Sequence, residues 1–157
     1  FNMISMIEGV VAVPVTKDGR ILVVWDGENA GKKEKFGWNV SGDRKPIQGL
    51  MQFVGGVCET DDLIGELVRE GDEETKIRFS RANFIETGVA TLIDHERGNG
   101  VQMMVRVSIY WLLLSDETEA LLMQGGAVVM TDNLQLRERD TIIYGLMKDK
   151  ISDVIIS

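Results

Sequence analysis

The stretch from Gly55 to Ile77, GGVCETDDLIGELVREGDEETKI, decides how this chain is read. A glycine-rich turn leads into a helix crowded with carboxylates. At about 100° per residue, residues four apart fall on nearly one line of a helix. Glu66, Glu70, Glu73 and Glu74 therefore share an arc of roughly 100°. Ile64, Leu67 and Val68, with Gly71, take the adjoining arc, which predicts a face turned to a sheet. Like charges four apart weaken a helix by a few tenths of a kcal/mol each. Solvent is the ordinary remedy in an acidic chain. The other remedy is a hard divalent cation: Mg²⁺ takes oxygen ligands and is commonly held by a few carboxylates together with substrate phosphates and water.

The spacing around the helix favours the cation. Asp61 stands six residues after Gly55, Arg69-Glu70 eight further on, then Glu73-Glu74 and Ile77. This register resembles the signature of the Nudix hydrolases, G-x5-E-x7-R-E-U-x-E-E-x-G-U with U aliphatic, and six of its nine defined positions agree. Phe53-Val54-Gly55-Gly56 is similar to the aromatic-Pro-Gly-Gly lead-in common in that family. Three positions depart from it. Asp61 keeps the charge of the family's Glu on a shorter arm. Gly71 puts a glycine where an aliphatic residue is usual, at a helix cost of about 1 kcal/mol relative to Ala. Lys76 replaces the glycine that ends the helix, so the left-handed cap is expected to be lost.

The resemblance implies an α/β fold, a Nudix-like α/β/α sandwich with a mixed β-sheet between helices, and one domain over residues 1–157. It implies a Mg²⁺-dependent (or Mn²⁺-dependent) hydrolase of the diphosphate linkage in nucleoside diphosphate-linked compounds, the default being a nucleoside triphosphate pyrophosphatase that releases a nucleoside monophosphate. Glu70, Glu73 and Glu74 would be metal ligands and catalytic groups, expected to converge on one point at a pocket mouth. Arg69 would orient them through charge-assisted bonds. Gly55 and Gly56, with Arg44 and Trp38, would meet the substrate. Glu66 shares the face, either near the metal's water or simply exposed. The departures at Asp61, Gly71 and Lys76 motivate an alternative, a catalytically weak or inactive Nudix-fold module that binds a nucleotide or a protein.

Working outward, Asp26 to Gln48 has no sustained period and reads as a long loop. It holds Lys32, Lys33, Lys35, Arg44 and Lys45, with Phe36 and Trp38 among them, the most basic stretch of an acidic chain. Cations that meet phosphate and rings that stack a base are one reading, a solvated loop the other. Gly9–Val15 and Ile21–Trp25 read as strands joined at Lys17-Asp18-Gly19-Arg20, with Pro14 best placed at an edge or bulge. Leu50–Val54 is a further strand. Ala82–Ile93 and Val101–Leu114 form a long pair around a turn at His95–Gly100, where the only histidine would sit idle at the tip. Ser115–Gln124 reads as a loop with a helical turn, from which Glu117 or Glu119 is a further candidate ligand or base. Gly126–Met130 reads as a short strand and Arg139–Lys148 as a second helix.

Composition sets the outer bounds. The chain has 157 residues, 44% of them hydrophobic, enough to bury a core. A formal charge of -8 argues against a stable nucleic-acid partner, though not against a small phosphorylated nucleotide, since bound metal reverses the local field. The lone Cys58 cannot form an internal disulfide and suits a reducing compartment; its thiol is either reactive or a small packed side chain. No stretch approaches the ~20 apolar residues of a membrane helix. A cytoplasmic protein is expected, its natural start elsewhere than Phe1-Asn2, with a homodimer left open.

Overall fold

The computed structural model describes residues 5–25, 35–39, 44–47, 51–97, 101–132 and 134–155. Its first strand shows why the chain forms layers. In β1 (Ser5–Val15), Val11, Val13 and Val15 join one buried cluster, while Val10 and Ala12 join another. Successive side chains of a strand point to opposite faces, so a run apolar at every position is buried on both. After a turn in which Thr16 N–H donates to Arg20 O (2.9 Å) and Gly19 takes φ +87°, β2 (Leu22–Trp25) divides its residues the same way.

The basic stretch expected to be a loop contains a hairpin, β3 (Lys35–Asn39) and β4 (Arg44–Ile47), in which Trp38 pairs with Arg44. No apolar alternation announces it, because the partners that hold it are elsewhere in the chain. The strand expected at Leu50–Val54 is divided into β5 (Met51–Gln52) and β6 (Val54–Val57), which belong to different sheets. Then come α1 (Leu63–Thr75), a 3-10 turn at Arg81–Asn83, β7 (Phe84–Arg97), β8 (Val101–Leu113), α2 (Asp116–Gln124), β9 (Val128–Val129), β10 (Gln135–Leu136), α3 (Glu138–Met147) and α4 (Ser152–Ile155). Strand β7 runs through His95, which pairs with Met103 in the ladder instead of lying in a turn. A full helix replaces the expected loop at α2, because Ser115 and Thr118 cap each other reciprocally.

One sheet has the order β6-β1-β8-β7, with β1 and β8 parallel and the outer pairs antiparallel. The other runs β4-β3-β10-β5-β2-β9 and is also mixed. Pro14 lies beyond the last β1–β6 pair, Ala12 with Val54, where β1 has an edge on that side. Leu67 of α1 and Leu122 of α2 pack in the cluster with Val10 and Ala12; Ile143 and Met147 of α3 pack in the one with Val11 and Val13. Helices thus flank mixed sheet on both faces. The fold positions two things for the site: β6 beside β1, and α1 across β6.

Candidate active site

The glycine pair makes close approach possible on two sides. A Cβ on Gly55 would run into the Val10 carbonyl oxygen and come within 2.8 Å of Val11 Cα, so glycine lets β6 lie on β1. A Cβ on Gly56 would meet Glu70 Oε1 at 2.8 Å. Glycine there leaves room for the Glu70 carboxylate to lie over the strand. One turn further along α1, Glu74 accepts the Gly55 N–H at 3.2 Å. Two carboxylates four residues apart are therefore laid along two successive glycines.

Burial sets their charge. Desolvation pushes the Glu74 carboxyl up to about 8, against the pull of Arg139, with Glu70 adding to the rise. Burial also raises Glu70, while Arg69 beside it works the other way. Glu73 differs from both. Its side chain is 53% exposed and meets Arg69 Nη1 at 3.3 Å. Arg69 in turn reaches Glu70 at 3.1 Å and Glu66 at 2.5 Å, so one guanidinium ties together three carboxylates of the helix face.

Glu66 has a role that helical spacing alone did not reveal. It is buried, and accepts from Glu59 N (3.1 Å), Thr60 N (2.9 Å), Thr60 Oγ1 (2.9 Å) and Arg69 Nη2 (2.5 Å). It is not exposed, and three of these four donors fall on one oxygen, Oε1. The Arg69 bond, then the Thr60 donors, hold its carboxyl below the usual range in spite of burial. Glu66 pins the loop between β6 and α1 and fixes Arg69.

The three departures from the expected pattern have local explanations. Asp61 is exposed, while its neighbour Asp62 caps α1 through the Gly65 N–H (3.1 Å) and takes a bidentate bond from Arg81 at 2.9 and 3.0 Å. At Gly71 a Cβ would stand 3.0 and 3.3 Å from ring carbons of Phe79. That ring, buried and set edge-on to Phe84 with centroids 6.2 Å apart, occupies the room an aliphatic side chain would use. Lys76 does not lose the left-handed cap. It adopts φ 62°, ψ 20° itself, and its N–H donates to Asp72 O at 2.9 Å.

A second contribution comes from α3. Phe53, between β5 and β6, gives its N–H to Asp140 and takes a bond from Arg139 Nη2 on its carbonyl at 3.1 Å. Asp140 is fully buried and paired with Arg139 at 3.0 Å. Satisfied from α3 instead of a ladder, Phe53 is where the chain changes sheets and enters the glycine strand. Nothing in the sequence joins residues 53 and 139.

Other sequence candidates fall outside this constellation. The side chains of Trp38, Arg44 and His95 lie outside the described residues. Glu119 is held by Arg20 at 2.6 Å. Cys58 is half-buried, and burial with Glu66 and Glu8 nearby pushes its thiol up to about 11, which keeps it protonated and unreactive at neutral pH.

A divalent cation is the group such a site implies. The donor chemistry fits: Glu70 and Glu74 offer hard oxygens from successive turns of one helix. Among the described residues, however, no three His, Cys, Asp or Glu side chains are grouped to hold a metal, and Glu73 stays with Arg69 instead of joining the other two.

Fold and site together define an α/β protein with an acidic helix laid along a glycine strand. Neither a family model nor a curated protein matches the sequence. Solved structures resemble the chain at low identity. A chain of the complex between the C-terminal domain of mouse MUTYH and human PCNA superposes with a TM-score of 0.55 at 12% identity, over 91% of this chain and 88% of that one. A Nudix hydrolase from M. smegmatis gives 0.47 at 10% identity, over 98% and 90%. The Ap4A hydrolase of C. elegans gives 0.42 at 14% identity, over 99% and 100%.

Proposed function

We propose that the chain is a Nudix-type pyrophosphohydrolase acting on the diphosphate linkage of a nucleoside diphosphate-linked compound, with a nucleoside triphosphate as the default substrate. The observation that carries this reading is the placement of Glu70 and Glu74 against Gly56 and Gly55, in the register of the family signature. Glu70 and Glu74 would hold the Mg²⁺ or Mn²⁺, with Glu73 available to join from the same helix face. A cation there neutralises phosphate oxygens and lowers the pKa of water. Arg69, locked by Glu66, keeps Glu70 and Glu73 oriented. Water adds to phosphorus, the bridging P–O bond breaks, and a triphosphate leaves as monophosphate and pyrophosphate; one of the helix carboxylates takes the water's proton.

The test is a panel of nucleoside triphosphates and diphosphate-linked nucleotides with Mg²⁺ or Mn²⁺, run beside Glu70→Gln. Metal-dependent release of a nucleoside monophosphate is expected, falling by about a hundredfold or more in the variant, since the carboxylate lost would hold the metal and is among those that could take the water's proton. A second reading is a non-catalytic nucleotide- or protein-binding module. It is favoured by Glu73 standing on Arg69 and not with Glu70 and Glu74. Nucleotide binding without turnover across the whole panel would decide for it.

A further inference from the structure

Strand β6 is the last of its sheet, and its outer edge is finished by side chains from two helices. Just past β6, Cys58 N–H donates to Glu8 O of β1 at 2.9 Å. In an antiparallel ladder the backbone groups of successive residues point to opposite sides. Counting back from Cys58, Gly56 and Val54 turn theirs to β1, while Gly55 and Phe53 turn theirs to the outer edge. On that edge α3 takes both groups of Phe53: the N–H goes to Asp140, and the carbonyl accepts from Arg139 Nη2 at 3.1 Å. The Gly55 N–H, next along, goes to Glu74 of α1. Arg139 and Glu74 are thus neighbours on one strand edge, and the charge of Arg139 acts on Glu74 and on Glu70.

The α3 end of this arrangement is itself held. Arg137 N–H donates to Met51 O at 3.2 Å, and Arg137 Nη1 to Gln52 Oε1 at 2.8 Å, so the residues leading into Phe53 are tied to the same helix. Arg139 Nε and Nη2 donate to the two oxygens of the fully buried Asp140 at 3.0 and 3.3 Å. A guanidinium can span a carboxylate and a carbonyl at once because its donors lie in one rigid fork; an ammonium carries the charge without the fork.

We propose that Arg139 is a positioning residue of the candidate active site: locked to Asp140, it fixes the outer edge of β6 at Phe53, so that Gly55 presents its N–H to Glu74 and sets where that carboxylate stands. For its effect on turnover this rests on the hydrolase reading above, and it adds to that reading a residue from outside the signature helix. Arg139 acts through Phe53 and Gly55, and it is the shape of the guanidinium, beyond its charge, that the site uses.

The experiment compares the full chain with Arg139→Lys, which keeps the charge and removes the fork. The first readout needs neither metal nor substrate: amide hydrogen exchange of the metal-free protein, in which Gly55 is expected to lose about tenfold more protection than Ile109 in the middle of the sheet. The second is hydrolysis of the nucleoside triphosphate panel with Mg²⁺, where kcat is expected to fall about tenfold with KM held within about twofold. Should Arg139→Lys fail to fold, the double variant Arg139→Met/Asp140→Asn, which leaves no buried charge unpaired, takes its place with the same expected result. Wild-type Gly55 protection and kcat in the variant overturn the positioning role and leave the hydrolase standing. Equal loss of protection at Gly55 and Ile109 also overturns it, because that is a general loss of stability. A wild-type protein that hydrolyses none of the panel overturns the hydrolase reading, and the exchange of Gly55 then decides the positioning role by itself.

Discussion

At the start of α1, Glu66 sits in a nest of donors: two backbone N–H groups, a hydroxyl and the Arg69 guanidinium all point at one buried carboxylate. Two turns later on the same helix face, Glu74 is also largely withdrawn from water but, among the described residues, accepts a single N–H, that of Gly55, and its pKa climbs to about 8. The wheel places these two glutamates together, and the fold sets them apart. A buried carboxylate with its hydrogen bonds filled is structural; one buried with its bonds unfilled is held ready for something else, at a cost in stability. That difference separates the anchored start of the helix from the candidate site, which begins at Glu70.

The largest effect is expected from breaking the filled end. Glu66→Ala takes from Arg69 the nearest of its three carboxylate partners and leaves the loop N–H groups of Glu59 and Thr60 without their acceptor. Removing one partner of a buried ion pair costs about 3–5 kcal/mol, to be read as a lower urea midpoint with an unchanged slope. Glu66→Gln keeps the acceptor oxygen and should cost less. If Glu66→Ala unfolds no more readily than the wild type, the contrast between the two halves has no energetic content.

Glu74→Gln tests the opposite end and should change stability in the opposite direction. With a folded pKa of about 8 against an ordinary value of 4.5, the native state holds the proton more tightly than the unfolded chain between those two values. Metal-free stability through this group therefore falls as pH rises from about 4.5 to 8 and is lowest above 8. Glu74→Gln should abolish that slope and gain roughly 2–4 kcal/mol at pH 9. Glu66 titrates the other way. Its lowered pKa contributes stability that is present above 4.5 and disappears as pH falls through the folded value. Urea midpoints across pH for wild type, Glu66→Gln and Glu74→Gln separate the two.

Between these ends, the helix packs on Phe79 at Gly71. Gly71→Val places a branched side chain where a Cβ alone already meets the ring at 3.0 Å. Overpacking of this kind costs about 2 kcal/mol. Adding Phe79→Ala should recover part of the loss, a coupling that a double-mutant cycle measures directly. Independent, additive effects would mean that the ring does not take the place of the missing aliphatic side chain.

The legibility of this chain follows from distance along it. The α1 face, the double-sided β1 run and the turn at Gly19 are local patterns of spacing and composition, readable without the fold. So was the acidic identity of the candidate site. Whether a glutamate is filled or unfilled is not local, because it depends on which donors the tertiary structure brings to it. Thr60 and Arg69 lie close to Glu66 in sequence, yet their convergence needs the loop's final path. Arg139 and Asp140, which hold Phe53 at the head of the glycine strand, are separated from it by most of the chain. The β3–β4 hairpin escaped for the same reason: its pairing with β10 is long-range, and the basic, glycine-containing stretch shows no alternation.

The smallest expected effect concerns the end of α1, where local reading went furthest astray. Lys76 stands where a glycine would cap the helix cheaply, and a Cβ is unwelcome in the left-handed conformation. The cap is kept, because the alternative is to leave the helix end unsatisfied. Lys76 N–H bonds Asp72 O, Lys76 Nζ reaches Glu73 O at 3.3 Å, and Thr75 Oγ1 donates to Gly71 O at 2.6 Å. These bonds hold a lysine at φ 62° against a steric cost of about 1–2 kcal/mol for a residue with a side chain. Lys76→Gly removes that strain and should stabilise the protein by about 1 kcal/mol, a little less than the full strain because glycine also has more freedom to lose on folding. Lys76→Ala removes the ammonium contact without relieving the backbone and should not stabilise. If Ala and Gly behaved alike, the left-handed conformation would carry no strain, and the unfavourable energy on this helix would lie entirely with Glu70 and Glu74.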